Sequence, residues 1–122
     1  MPLVDITCAP TITDAEKRRL SAELPHAVSV AVECHDEPYD GDLRPGDVIV
    51  RFHDPGPFDR FDLDILVEVR SKWFADRVAD RASRASAILA AVESIAPSRT
   101  AGVYLSMPHA AWDQSDVEPT AR

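Results

Sequence analysis

Pro2 is the first residue whose chemistry stands out. It follows Met1. A small residue at that position permits removal of the initiator, which would leave a free N-terminal proline. Such a proline is a secondary amine on a rigid ring, able to act as a base or a nucleophile. It runs directly into the apolar stretch Leu3 to Cys8, so it should enter the fold. Desolvation disfavours the charged amine and lowers its pKa, and a base poised near neutrality suits proton transfer. The plain alternative is a chain that begins Met-Pro and makes no use of it. Arg70 and Lys72 are the second feature. Two residues apart on an expected strand, they project from one face. They can offer a planar fork and a point charge to one carboxylate. Their plain alternative is a solvated strand end paired with Glu68 or Asp76.

Other residues are weaker candidates. Asp47 can orient a water, or simply open a strand. His35 and His53 titrate near neutrality, but each falls in or near an expected loop. Tyr104 and Trp112 can wall a pocket near Pro2, where an apolar wall would depress the amine pKa; core or subunit packing is the competing role. Trp73 and Phe74 read as the start of a helix, and His109 has no assigned role. Arg18 and Arg19 read as a solvated helix face. Cys8 and Cys34 form no CxxC pattern, so no metal or redox motif is indicated. Two free thiols in a reducing cytosol is the favoured reading.

The elements that must position these residues follow from periodicity. Leu3 to Cys8 alternates as a strand, with Val4, Ile6 and Cys8 on the face of Pro2 and with Asp5 and Thr7 opposite. Thr13 and Glu16 form a capping box that starts a helix. Leu20 and Leu24 continue it. Pro25 should kink or divide it before an end near Cys34. Residues 35 to 46 have loop composition. Asp47 to His53 reads as a strand, and Asp54-Pro55-Gly56-Pro57 as a turn at the midpoint. Leu63 to Lys72 is a third strand, with Ile65, Val67 and Val69 on one face. Trp73 to Ile95 reads as one long helix through Phe74, Val78, Ala82, Ala85, Leu89 and Val92, with Ile88 and Ile95 alongside. Gly102 to Met107 is the last strand, and the polar tail from His109 is expected to be partly loose.

This order predicts an α+β fold: two βαβ units, with halves at about residues 2–54 and 62–109, in a single domain over 1–122 with a polar tail at 110–122. Each βαβ crossover makes its strands parallel. The product is a four-stranded mixed sheet with two helices on one face. The other face needs cover, which self-association would supply.

Composition narrows the function classes. A chain of 122 residues suits one core. A net charge of −8 argues against nucleic acid. Local cations can still hold a small anion. No charged-then-apolar leader is seen, and no apolar run approaches the roughly 18 residues of a membrane span. The expectation is a cytoplasmic protein without nucleic-acid or membrane partners.

An N-terminal proline on the first strand, two βαβ units and this length together resemble the tautomerase superfamily. The likeness is to its double-length members: the MIF-like tautomerases, the carboxymethyl-hydroxymuconate isomerases and the malonate-semialdehyde-decarboxylase group. The residues that carry it are Met1-Pro2-Leu3-Val4-Asp5-Ile6, supported by Val103-Tyr104-Leu105-Ser106 and then Ala111-Trp112. The resemblance implies a homotrimer with sites at subunit borders and Pro2 as the catalytic group. Arginines would hold a small carboxylate substrate. Arg70 and Lys72 resemble the basic residues at the end of the family's third strand, although a decarboxylase-like site would have a second arginine in place of Lys72. Arg51 lies on the second strand, where shorter tautomerases often hold an arginine; a surface ion pair is its favoured reading. A glycine-rich segment between halves is replaced here by residues 54–62.

The leading expectation is a tautomerase, an isomerase that interconverts keto and enol forms of a small carboxylate. Pro2 and Arg70 would act catalytically, and Lys72, Arg51, Tyr104 and Trp112 would bind substrate. No metal or organic cofactor is required. The alternatives are a proline-dependent dehalogenase, hydratase or decarboxylase of a three-carbon acid, or a non-catalytic oligomeric binding module.

Overall fold

In strand β1 (Leu3–Cys8), alternation decides which side is buried. Val4, Ile6 and Cys8 are almost wholly inaccessible, whereas Leu3, Asp5 and Thr7 are only partly covered. The computed structural model describes residues 2–36 and 47–120. Most of the expected 35–46 loop therefore lies outside the described residues, as do Met1 and the last two residues of the tail.

Helix α1 (Asp14–Ala31) begins where the capping box requires. The Thr13 hydroxyl accepts from the Glu16 amide at 3.1 Å, and the Glu16 carboxylate accepts from the Thr13 amide at 3.1 Å. Pro25 was expected to kink or divide this helix, yet α1 continues through it as one element. Proline forfeits one backbone hydrogen bond. The buried stripe Leu20, Leu24, Val28 and Ala31 runs past it on both sides, and burial of that stripe holds the helix together.

Strand β2 (Ile49–His53) pairs parallel with β1, and β3 (Ile65–Arg70) pairs with β1 antiparallel. Strand β4 (Ala101–Ser106) pairs parallel with β3. The sheet order is β2-β1-β3-β4, a mixed sheet in which each βαβ unit supplies a parallel pair and the two units join antiparallel through β1 and β3. Val4, Ile6, Ile65, Val67 and Val69 pack beneath Leu20, Leu24 and Val28 of α1 and beneath Ile88, Val92 and Ile95 of the second helical segment. The strand ends differ from expectation by one or two residues. One difference matters: β3 stops at Arg70, so Lys72 is not a strand residue.

The expected long second helix is two. Helix α2 (Ala75–Ala79) is followed by α3 (Arg81–Ile95), with Asp80 between them at φ −122°, ψ 31°. Periodicity could not reveal this break, because the apolar spacing runs straight across it. Ala82 of that spacing is exposed, and Ile88, Val92 and Ile95 form the buried stripe. Arg77, only 1% exposed, donates to Val32 O at 2.8 Å and to Lys72 O at 2.6 Å. Arg84 donates to Ala31 O at 3.1 Å and to Glu33 O at 2.6 Å. Helix α1 has no basic residue in its last turn. Two arginines from the second half thus serve its carbonyl end, which needs donors.

No helix among the described residues packs on the second face of the sheet. Alternation and register place Leu3, Asp5, Ile49, Arg51, Glu68, Arg70 and Tyr104 there. Ile49 is 39% exposed and Tyr104 70%. Cys8 and Cys34 are buried and are not joined in a disulfide. Burial pushes the Cys8 thiol pKa up. No helix among the described residues is long and apolar enough to cross a membrane.

Candidate active site

Pro2 lies at the entry to β1 and is buried. Its carbonyl accepts from the Ile49 amide at 3.2 Å, which ties it to β2. Extending the β1–β3 register by one step from Leu3 and Arg70 brings Pro2 opposite Ser71. Leu3, Arg70, Ser71 and Lys72 line a cavity of about 160 Å³, together with Pro108, Ala110, Ala111 and Trp112 of the tail. Pro2 is not itself a lining residue; the cavity begins at the next residue along the chain and at its cross-strand neighbour.

The tail therefore does more than expected. Its first residues wall the cavity, because the Trp73 amide donates to Pro108 O at 2.9 Å and the Ser71 amide to Ser106 O at 3.1 Å. The Trp73 ring stacks on His109 with centroids 5.0 Å apart and planes inclined by 20°. From residue 108 to 120 the tail is exposed, its cavity-lining residues included. Lys72 reaches the cavity although it lies beyond the strand. Its carbonyl is held by buried Arg77, so the turn after β3, not strand alternation, sets its place.

On the open face a carboxylate sits among cations. Asp5, whose side chain is 14% exposed, takes His53 Nε2 at 2.6 Å and an Arg51 nitrogen at 3.1 Å on Oδ1. On Oδ2 it takes the same Arg51 nitrogen at 3.3 Å and an Arg70 nitrogen at 3.0 Å. The register explains the set. Asp5 faces Arg51 on β2, while His53 and Arg70 are the partners of Thr7 and Leu3, one pleat to either side. Burial alone would raise the Asp5 pKa; the bonds from His53, Arg51 and Arg70 outweigh it and hold the carboxyl below its ordinary 3.8.

The expected residues thus divide. Arg70, Lys72 and Trp112 meet at the cavity beside the Pro2 end of β1. Arg51 forms the ion pair that was its favoured reading, and it does not line the cavity. Arg70 pairs with Asp5 rather than with Glu68 or Asp76. Tyr104 borders a separate hollow of about 310 Å³ along β4, with Trp73, Arg81 and Met107. His53 is bound to Asp5, and His35 is exposed in the segment after α1. Asp47 stands before β2 and lines neither cavity. Arg18 is exposed, while Arg19 donates to Ile95 O at 2.8 Å, linking α1 to the end of α3. Cys34, Asp36 and Asp76 bring three donor atoms within 4.8 Å of one another. A thiol hydrogen bond from Cys34 to Asp76 at 3.7 Å accounts for part of that approach.

Sequence reasoning missed Asp5. The available signal was an aspartate in the middle of an apolar strand, where aspartate is disfavoured.

No family model matches the sequence. No curated protein matches it either. Solved structures do match the fold. Malonate semialdehyde decarboxylase aligns with a TM-score of 0.60 at 18% identity, covering 97% of this chain and 92% of that one. Leishmania major MIF2 gives 0.58 at 16% identity, covering 93% and 94%. A fused 4-OT, solved as a symmetric trimer, gives 0.57 at 16%, covering 87% and 85%. At such identities the likeness is one of fold: over 85% or more of each chain, this protein shares the fold of these three structures.

Proposed function

We propose that this chain, once Met1 is removed, is a proton-transfer enzyme acting on a small keto or enol carboxylate. The Pro2 amine takes a proton from one end of the keto–enol system and returns it to the other. Arg70 and Lys72 hold the carboxylate and draw off the negative charge that develops on the enolate oxygen. Leu3, Ala110, Ala111 and Trp112 give the cavity an apolar wall, and the burial of Pro2 itself favours a neutral, basic amine. Arg51 supports this arrangement from the ion-pair cluster. Three copies would bury the open faces of their sheets against one another and place the sites at subunit borders.

The observation that carries this reading is the cavity beside the entry to β1, lined by the cations Arg70 and Lys72 together with an apolar tail segment. A different use of the same cavity is hydration or decarboxylation, with Pro2 protonated and acting as an acid. The structural likeness to a malonate semialdehyde decarboxylase, which has decarboxylase and hydratase activities, makes it the second reading.

Mass spectrometry checks first that Met1 is absent, since a retained Met1 blocks the amine. Phenylpyruvate or 2-hydroxymuconate tautomerisation is then followed with the wild type, Pro2→Ala and Arg70→Ala. The wild type should turn over substrate, and both variants should lose most of that activity. An inactive wild type, or a fully active Pro2→Ala protein, refutes the mechanism. The pH profile separates the two readings. A neutral base gives a kcat/KM that rises with pH through the amine pKa and then levels. A protonated acid gives one that falls.

A further inference from the structure

We infer that Asp5 is a positioning residue for Arg70, fixing the guanidinium at the cavity edge without cancelling the positive charge that a substrate carboxylate would meet. The inference rests on the proposed role of Arg70 as a carboxylate-holding group. The geometry is specific. A strand-end arginine has several rotatable bonds and would otherwise sample the open face. Asp5 Oδ2 engages one terminal nitrogen of Arg70 at 3.0 Å. Its other oxygen is taken up by His53 and Arg51, so the carboxylate cannot swing freely. Asp5 sits on β1, hydrogen-bonded to strands on both sides, and Arg51 and His53 anchor it from β2. Arg70 is thereby referenced to β1, the strand that begins with Pro2 and Leu3.

The charge balance matters as much as the position. One carboxylate faces two guanidiniums, which leaves one positive charge before His53 is counted. Had Asp5 paired with Arg70 alone, the pair would be neutral and a poor anion site. Arg51 thus offsets Asp5 and leaves Arg70 with attraction to spare. Glu68, the β3 residue directly opposite Asp5, brings a second carboxylate to this face, but it is exposed, makes none of these bonds and is screened by solvent, so it weakens the surplus less than a bonded carboxylate would.

Asp5→Asn, which keeps the shape and removes the charge, is the test, with Glu68→Gln as the control. Nitrogen NMR of the arginine side chains reads positioning directly. Rotation about the Arg70 guanidinium should be hindered in the wild type and in Glu68→Gln, and averaged in Asp5→Asn. Unchanged Arg70 signals in Asp5→Asn overturn the inference, whether or not the protein is active. On activity, Asp5→Asn should lower kcat/KM on the order of tenfold to a hundredfold, the scale of a misplaced positioning group. The loss should vanish in an Arg70→Ala background, where Asp5 has nothing to position. A loss of equal size in that background means that Asp5 acts through the sheet and not through Arg70, and it overturns the inference. A wild type that neither binds oxalate nor turns over a keto acid refutes the proposed function; the NMR comparison then still decides what Asp5 does.

Discussion

Arg77 shows how one side chain can tie together parts that are distant in sequence. It is buried, lies over the Phe74 ring at 5.3 Å, and donates to one carbonyl after α1 and to another in the turn bearing Lys72. Arg77→Ala removes both donors and leaves buried acceptors unmet. By the cost of unsatisfied buried groups, unfolding in urea should show a loss of roughly 2–4 kcal/mol. Because Lys72 depends on this anchor, the variant should also weaken the proposed carboxylate binding, read with oxalate under conditions in which it stays folded. Ile6→Ala should cost about 2–5 kcal/mol through the cavity it leaves in the middle of the core. The contrast between the two is informative. Ile6 was legible as core from alternation alone. Arg77 was not, since nothing in a helical pattern marks an arginine that will reach backward into a carbonyl end.

At the scale of elements, the start of α1 is the best-specified point in the chain. Its capping box is completed from across the fold. Arg99 donates to both oxygens of Glu16 at 2.8 Å and to Thr11 O at 3.0 Å. The Arg99 bond, with the Thr13 amide and hydroxyl, lowers the Glu16 pKa from 4.5 to about 2. A carboxylate with a lowered folded-state pKa binds its proton less readily in the native state than in the unfolded one. Its contribution to stability is therefore complete above about pH 4.5 and is lost as the pH falls toward 2. Glu16→Gln should flatten the acid limb of a stability–pH curve in that window and leave the shape above pH 5 unchanged. Thr13→Ala should cost about 1 kcal/mol, as removal of an N-cap does. The capping box was readable because its residues are three apart. The Arg99 contact was not, because it joins positions 83 residues apart.

For the whole molecule, the feature to account for is the sheet face on which no helix among the described residues packs. Ile49 and Tyr104 are exposed on a sheet whose other side is fully packed. The proposed trimer would cover them. Light scattering should give a mass near three times that of the 13.4 kDa chain. Ile49→Asp should shift the population toward monomer and lower activity in parallel, since the proposed sites lie at the borders between copies. A monomeric wild type that is fully active removes the shared-site model while leaving the fold intact.

By itself the sequence determined the strands, their buried faces and the alternation of strand and helix, because those depend on residues a few positions apart. From these, the right-handed crossover rule makes each βαβ pair parallel. It also placed Arg70, Lys72 and Trp112 among the candidates, by residue type and spacing. The tertiary structure alone decided that β1 and β3 run antiparallel in the register that sets Asp5 between Arg51 and Arg70. It decided that Lys72 is held beyond the strand, that the second helix breaks at Asp80, and that the tail folds back to wall the cavity. The physical reason is common to all four. None of them marks the apolar spacing: the Asp5 cluster and the tail rest on bonds between residues distant in sequence, the place of Lys72 rests on a polar bond from Arg77, and the break at Asp80 lies within an unbroken apolar repeat.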